Sequence, residues 1–195
     1  RSMTDGSIHN SESTKGGGGG LVNIGTVNMS GGTIRENTAN TDGGGIWNGN
    51  SGDAQGTLNI TGGSITYNTA SRYGGGIWNE NTVTISNGTI NNNTGDDGGG
   101  IYNKEGGNLT VNSGTTFTSN NSLNHSGGAI NNHGTCEISG GTISGNTAKN
   151  YGGAIGNFDS GTLTITGGTI QNNTASTYYG GGVYIGSGTF NMSGN

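Results

Sequence analysis

Four aromatic residues occupy the same place in a recurring text. Trp47, Trp78, Tyr102 and Tyr184 each follow one apolar residue, namely Ile46, Ile77, Ile101 and Val183. Side chains alternate between the two faces of a strand, so a residue next to an inward position points outward. A file of flat outward rings can stack on sugar rings or on a protein partner. Such rings can also stack on one another and shield neighbouring glycines. Asn131 and Gly156 interrupt the row before Tyr184, while Tyr73, Tyr151, Tyr178 and Tyr179, just before glycine runs, would extend the surface.

Hydroxyls offer a second chemistry. Thr26, Thr57, Thr82, Thr135, Thr162 and Thr189 form one outward column, broken only by Asn108. Beside it run Asn28, Asn59, Thr84, Thr110, Glu137, Thr164 and Asn191, and then Ser30, Thr61, Ser86, Asn112, Ser139, Thr166 and Ser193. Regular threonine rows on a flat face resemble those of insect β-helical antifreeze proteins, which makes ice the alternative ligand. Threonine is also simply favoured on exposed strands, and the charge of Glu137 works against ice.

Carboxylates give a third possibility, a polysaccharide lyase or hydrolase. Such chemistry needs a Ca²⁺ cluster or a general acid and base held together. Asp96 and Asp97 are the adjacent acidic pair, with Glu105 close by, and a Ca²⁺ ion there is conceivable. His9, His125 and His133 share no catalytic spacing. No catalytic residue, resident metal or cofactor is assigned, and the reading is of a non-enzyme. Cys136 stands in a column otherwise filled by Val27, Leu58, Val83, Leu109, Leu163 and Phe190, which marks it as a core residue.

The elements that must carry these columns follow from the repeat. Gly161–Thr174 reads GTLTITGGTIQNNT and Gly56–Thr69 reads GTLNITGGSITYNT, and a GGG run followed by an apolar residue comes a few positions later. Leu163 and Ile165 alternate with threonines, the mark of a strand with one buried face. Gly167–Gly168 bends the chain, Ile170 points inward again, and Asn172–Asn173–Thr174 turns it. Each repeat thus makes three short strands and three corners. Three inward files result, led by Met29, Ile8 and Leu21; in the last, successive members are 24 to 31 residues apart. One coil cannot bury its apolar side, but stacked coils bury it against each other. The expected fold is all-β, a single right-handed parallel β-helix of about seven coils, roughly 30 Å long. Two amide columns, Asn37 to Asn173 and Asn23 to Asn157, are expected to form hydrogen-bonded ladders at the turns.

Composition agrees. Of 195 residues, 46 are glycine and none proline; hydrophobic residues are 26% and charged ones 9%. Low hydrophobicity alone would suggest disorder, but the apolar residues are confined to fixed positions and the low charge does not expand the chain. A net charge of −5 with no basic stripe argues against nucleic acid. No apolar run in this fragment reaches the ~20 residues that span a bilayer. The whole of 1–195 reads as one solenoid domain, a piece of a longer protein, with 1–24 a degenerate first coil and 188–195 the start of a further one.

The paired signatures GGA[ILV] and FxxN resemble the repeat of the chlamydial polymorphic outer membrane proteins. GGAI occurs at Gly127–Ile130 and Gly152–Ile155, and the variant GGGI ends at Ile46, Ile77 and Ile101. FxxN occurs at Phe117–Asn120, with isoleucine in place of phenylalanine at Ile34–Asn37 and Ile143–Asn146. The resemblance implies an exported, adhesin-like passenger or stalk at the cell surface or outside the cell. Its ligand would be a host or environmental glycan or protein.

Overall fold

A computed structural model describes residues 1–194. Among them every regular element is a strand, and the strands wind into a parallel β-solenoid. Three sheets run along it. The longest takes the first strand of each coil, which bends in its middle. In Thr26–Arg35 and Thr57–Thr66 it runs unbroken through the bend; later coils divide it, as in Thr82–Ile85 and Gly88–Asn91. The other two sheets each contain seven strands, which sets the coil count at seven.

The inward files are those expected. Met29, Ile60, Ile85, Val111 and Ile138 lie in line, as do Ile34, Ile65, Ile90, Phe117 and Ile143, all essentially sealed from solvent. Ile46, Ile77, Ile101, Ile130 and Ile155 form the third file and pair in register from coil to coil. Each such burial contributes about 1.5–3 kcal/mol. Cys136 is buried between its register partners Leu109 and Leu163.

The two-residue Thr-Ala strands were not anticipated. Thr38–Ala39, Thr69–Ala70, Thr147–Ala148 and Thr174–Ala175 belong to a sheet of their own, at a corner that the sequence suggests is only a turn. Its inward residue is small, so the core narrows there. The corner before it is tight. Glu36, Tyr67, Asn92, Ser119 and Asn172 all have φ of 54–56°, in the left-handed region. Each costs about 1 kcal/mol in a residue with a Cβ.

The amide ladder beside that corner holds it. Asn68 Nδ2–H donates to Asn93 Oδ1 on the next coil at 3.0 Å and to the Ile34 carbonyl on the preceding one, while its backbone N–H also donates to Asn93 Oδ1. The same pattern recurs along Asn37, Asn93, Asn120, Asn146 and Asn173. The second ladder, Asn23–Asn48–Asn79–Asn103–Asn132–Asn157, has spacings of 2.7–2.8 Å.

Residues 1–24 form a coil whose strands pair in order with those of the next, and Thr189–Met192 pairs in register with Thr162–Ile165. One expected column is displaced. A bulge at the bend pairs Ser30 with Gly62 and not with Thr61, so the third hydroxyl row loses its register there.

Candidate functional site

The strands of the third sheet are only three residues long. Ile77–Asn79 shows the plan: Ile77 enters the core, Asn79 enters the ladder, and Trp78 alone faces out. The outward column therefore reads Val22, Trp47, Trp78, Tyr102, Asn131, Gly156, Tyr184, all in register.

At one end of this column the rings serve the fold. Trp47 and Trp78 stack with centroids 5.0 Å apart and planes 9° from parallel. Lys104 Nζ lies 5.5 Å from the Trp78 ring and pairs with Glu80. Trp78 is left only 7% exposed. The expectation that Trp78 offers an open stacking platform is corrected, because its partner ring and the lysine cover it. Trp47 itself lies against Gly17 and Gly49, where a Cβ would run into the ring.

Beyond Trp78 the row continues where an interruption was expected. Tyr73 meets Tyr102 at 4.6 Å, Tyr102 stacks on His133 at 5.0 Å, His133 on Phe158 at 5.7 Å, and Phe158 meets Tyr184 at 5.6 Å. Tyr151 lies 4.4 Å from Tyr184 and 5.2 Å from Tyr178, and Tyr179 is 6.2 Å from Tyr151. His133 and Phe158 were missed by sequence reasoning. Each follows the ladder asparagine by one residue, two places after the column position. In four of the coils the two outward positions are reciprocal in size, Trp47 with Gly49, Tyr184 with Gly186, Asn131 with His133 and Gly156 with Phe158, whereas Trp78 with Glu80 and Tyr102 with Lys104 are both large. The alternation at a period of two was available as a signal.

A cleft of about 260 Å³ opens beside the refilled stretch, lined by Asp97, Asn131, His133, Tyr151, Phe158 and Asp159 among others. Asp97 Oδ1 accepts hydrogen bonds from Asn131 Nδ2–H at 2.6 Å and from the Ser126 backbone N–H at 3.1 Å. Burial pushes the Asp97 carboxyl above the usual carboxylate range; the Ser126 N–H, the imidazoles of His125 and His133, and Asn131 pull it back in part. His133 Nδ1–H donates to Asp159 Oδ2 at 2.6 Å. Asn131 Oδ1 and His133 Nε2 are buried without a partner.

Asp96 turns away from Asp97, to Asn124 and His125. Glu105 is exposed. Among the described residues no three His, Cys, Asp or Glu side chains gather as a metal set, so the conceivable Ca²⁺ site of Asp96, Asp97 and Glu105 is not assembled.

The threonine face lies on the longest sheet. Thr26, Thr57, Thr82, Asn108, Thr135, Thr162 and Thr189 are successive register partners. Thr84 pairs with Thr110, Thr110 with Glu137, and Glu137 with Thr164. Asn59 Nδ2–H donates to Asn28 Oδ1 at 2.9 Å, so one end of the middle row is an amide ladder and not a hydroxyl lattice. No family model, curated protein or solved structure matches the chain.

Proposed function

We propose that this solenoid is a non-catalytic, adhesin-like surface module, exported from the cell, that presents the ring stripe from Tyr73 to Tyr179 to a glycan. The observation that carries this reading is the refilling of the stripe by His133 and Phe158. Core packing does not require rings at those outward positions, yet they restore aromatic continuity across Asn131 and Gly156. Tyr178 and Tyr179 are 54% and 68% exposed, so both rings keep surface open to a ligand. The resemblance of the GGAI and FxxN signatures to surface-protein repeats supports the same placement. Large exposed rings on a rigid rod lose little entropy on binding, which favours repetitive ligands such as polysaccharides.

A glycan array tests it. Binding should be retained by Trp78→Ala variants that fold and lost in the Tyr151→Ala/Tyr179→Ala double variant. A signal indifferent to the double substitution would remove the stripe as the site.

The in-register column Thr26 to Thr189 supports ice as a second reading. Ice-crystal shaping by the purified chain, abolished by Thr162→Tyr, would put it first. Hexagonal growth unaffected by the chain would end it.

A further inference from the structure

The cleft at the refilled stretch carries buried polar atoms without partners. Asn131 is 2% exposed, and its Oδ1 has no hydrogen-bond partner. Its Nδ2–H is already given to Asp97, so Oδ1 is fixed as the free end and can only accept. His133 donates Nδ1–H to the Asp159 carboxylate; in the neutral tautomer that carries this proton, Nε2, also unpartnered, is an acceptor. Asp97 uses Oδ1 for both of its bonds; Oδ2 has no protein partner among the described residues. Asn131 Oδ1, His133 Nε2 and Asp97 Oδ2 therefore belong to residues that line one cleft, with Asp97 and Asp159 as its carboxylates; His125, Ser126 and Asn150 complete a wall that holds no lysine or arginine.

A buried acceptor without a donor costs about 1–3 kcal/mol. A ligand that brings several N–H donors and a positive charge would remove that cost at Asn131 Oδ1 and His133 Nε2 and would pair with Asp97 Oδ2 as well. A primary ammonium carries three donors and no acceptor. The cleft's rings suit it as well: Tyr151 and Phe158 flank the polar floor, and aromatic faces attract cations.

We propose that this cleft is an ammonium subsite within the stripe, taking the protonated amine of an amino sugar whose ring lies against Tyr151. The proposal rests on the glycan reading of the stripe and names the sugar class. Phe158 Cε2 and Asn131 Oδ1 converge on the space over Gly156, so the proposal requires that ring to turn aside before the amine meets Oδ1.

The test is titration calorimetry of the full chain with three β-1,4-linked tetrasaccharides: glucosamine, N-acetylglucosamine and glucose, at a pH that keeps the amine protonated. Acetylation removes the charge and two of the donors. The glucosamine tetramer should bind at least about tenfold tighter than the other two, as one charge-assisted hydrogen bond suffices to give. Asp97→Asn/Asp159→Asn keeps the shape of the cleft and should reduce that advantage below about threefold, with affinity for the glucose tetramer unchanged. Equal affinity of the wild type for all three sugars, or an advantage that survives the double substitution, overturns the ammonium subsite and leaves the stripe standing. No binding of any tetramer overturns both.

Discussion

The ring of Phe158 occupies the space that a side chain on Gly156 would fill. A Cβ built on Gly156 would stand 2.6 Å from Phe158 Cε2, and 3.3 Å from both Asn131 Oδ1 and Ser126 Cβ. The two residues are one unit: the column gives up its side chain and the ring from two positions on takes that space. Gly156→Ala should therefore destabilise the protein by about 1–3 kcal/mol, as overpacking does. In a Phe158→Ala background the same change should cost at least about 0.5 kcal/mol less, because the neighbour it collides with has gone. Urea unfolding of the four members of this cycle measures the coupling. A cost of Gly156→Ala independent of residue 158 would mean that the backbone, and not the ring, demands glycine.

Tyr67 stands at a left-handed corner with φ of 56° and is 58% exposed. Its ring makes no aromatic pair among the described residues, and glycine fills the equivalent place three coils along, at Gly145 with φ of 65°. Tyr67→Gly should raise stability by about 0.5–1 kcal/mol, the relief of left-handed strain less the entropy of a freer unfolded chain. Tyr67→Asn should act in the same direction, since asparagine tolerates this region. Midpoints of chemical unfolding decide the sign.

Cys136 is sealed in the core, and burial, with a smaller contribution from Glu137, pushes its thiol up to about 12. The thiolate is the reactive form. Ellman's reagent at neutral pH should leave the folded protein unlabelled and modify one thiol per chain only after unfolding. Labelling at the rate of a free thiol would show that the coils open locally around Leu109 and Leu163.

The inward isoleucine files were legible because strand periodicity and a repeat act together: each file is confirmed by as many coils as there are copies. The amide ladders were legible for the same reason, since Asn68 and Asn93 stand at one offset from their file. The Thr38–Ala39 strand was not, because two residues carry no period and alanine no strong apolar signal. Outward positions were read one coil at a time, and there the reading failed. Whether Trp78 is open depends on Lys104 of the next coil, and whether Asn131 breaks the row depends on His133 of its own. Such relations lie between side chains on a surface, where many arrangements satisfy the same backbone and no core constraint selects one.

Asp97 gives a pH signature. In the unfolded chain its carboxyl titrates near 3.8, and in the folded one higher, with burial the largest cause. Between those two values the folded form holds a proton that the unfolded form has lost. The contribution of this group to stability is thus fully present below the unfolded value, declines as pH rises through the window, and is gone above the folded value. Asp97→Asn cannot ionise, and its Oδ1 can still accept from the Ser126 N–H and from Asn131. The variant should gain on the wild type as pH rises from about 3 to 7 and keep the gain beyond. Paired urea titrations across that range measure the difference; a gap that narrows with rising pH would assign Asp97 a depressed carboxyl.

The ladders should be strongest in the middle. Asn93 Oδ1 accepts from both the backbone N–H and the Nδ2–H of Asn68, and its own Nδ2–H reaches Asn120 Oδ1 and the Ile65 carbonyl. Asn93→Ala leaves two donors of Asn68 and the Ile65 carbonyl without these partners in a dry interior. At about 1–3 kcal/mol for each group left unsatisfied, the loss should reach about 3 kcal/mol or more. Asn173 accepts the same two donors from Asn146 but is partly exposed and gives its Nδ2–H only to the backbone of Ile143 and Gln171. Water can replace it, so Asn173→Ala should cost about 1 kcal/mol. Equal costs at the two positions would mean that each amide serves only its own turn. A several-fold larger cost at Asn93 would mean that the corner strain of Glu36, Tyr67 and Asn92 is carried by the ladder as a whole, and that the rigidity of the displayed face begins at these buried amides.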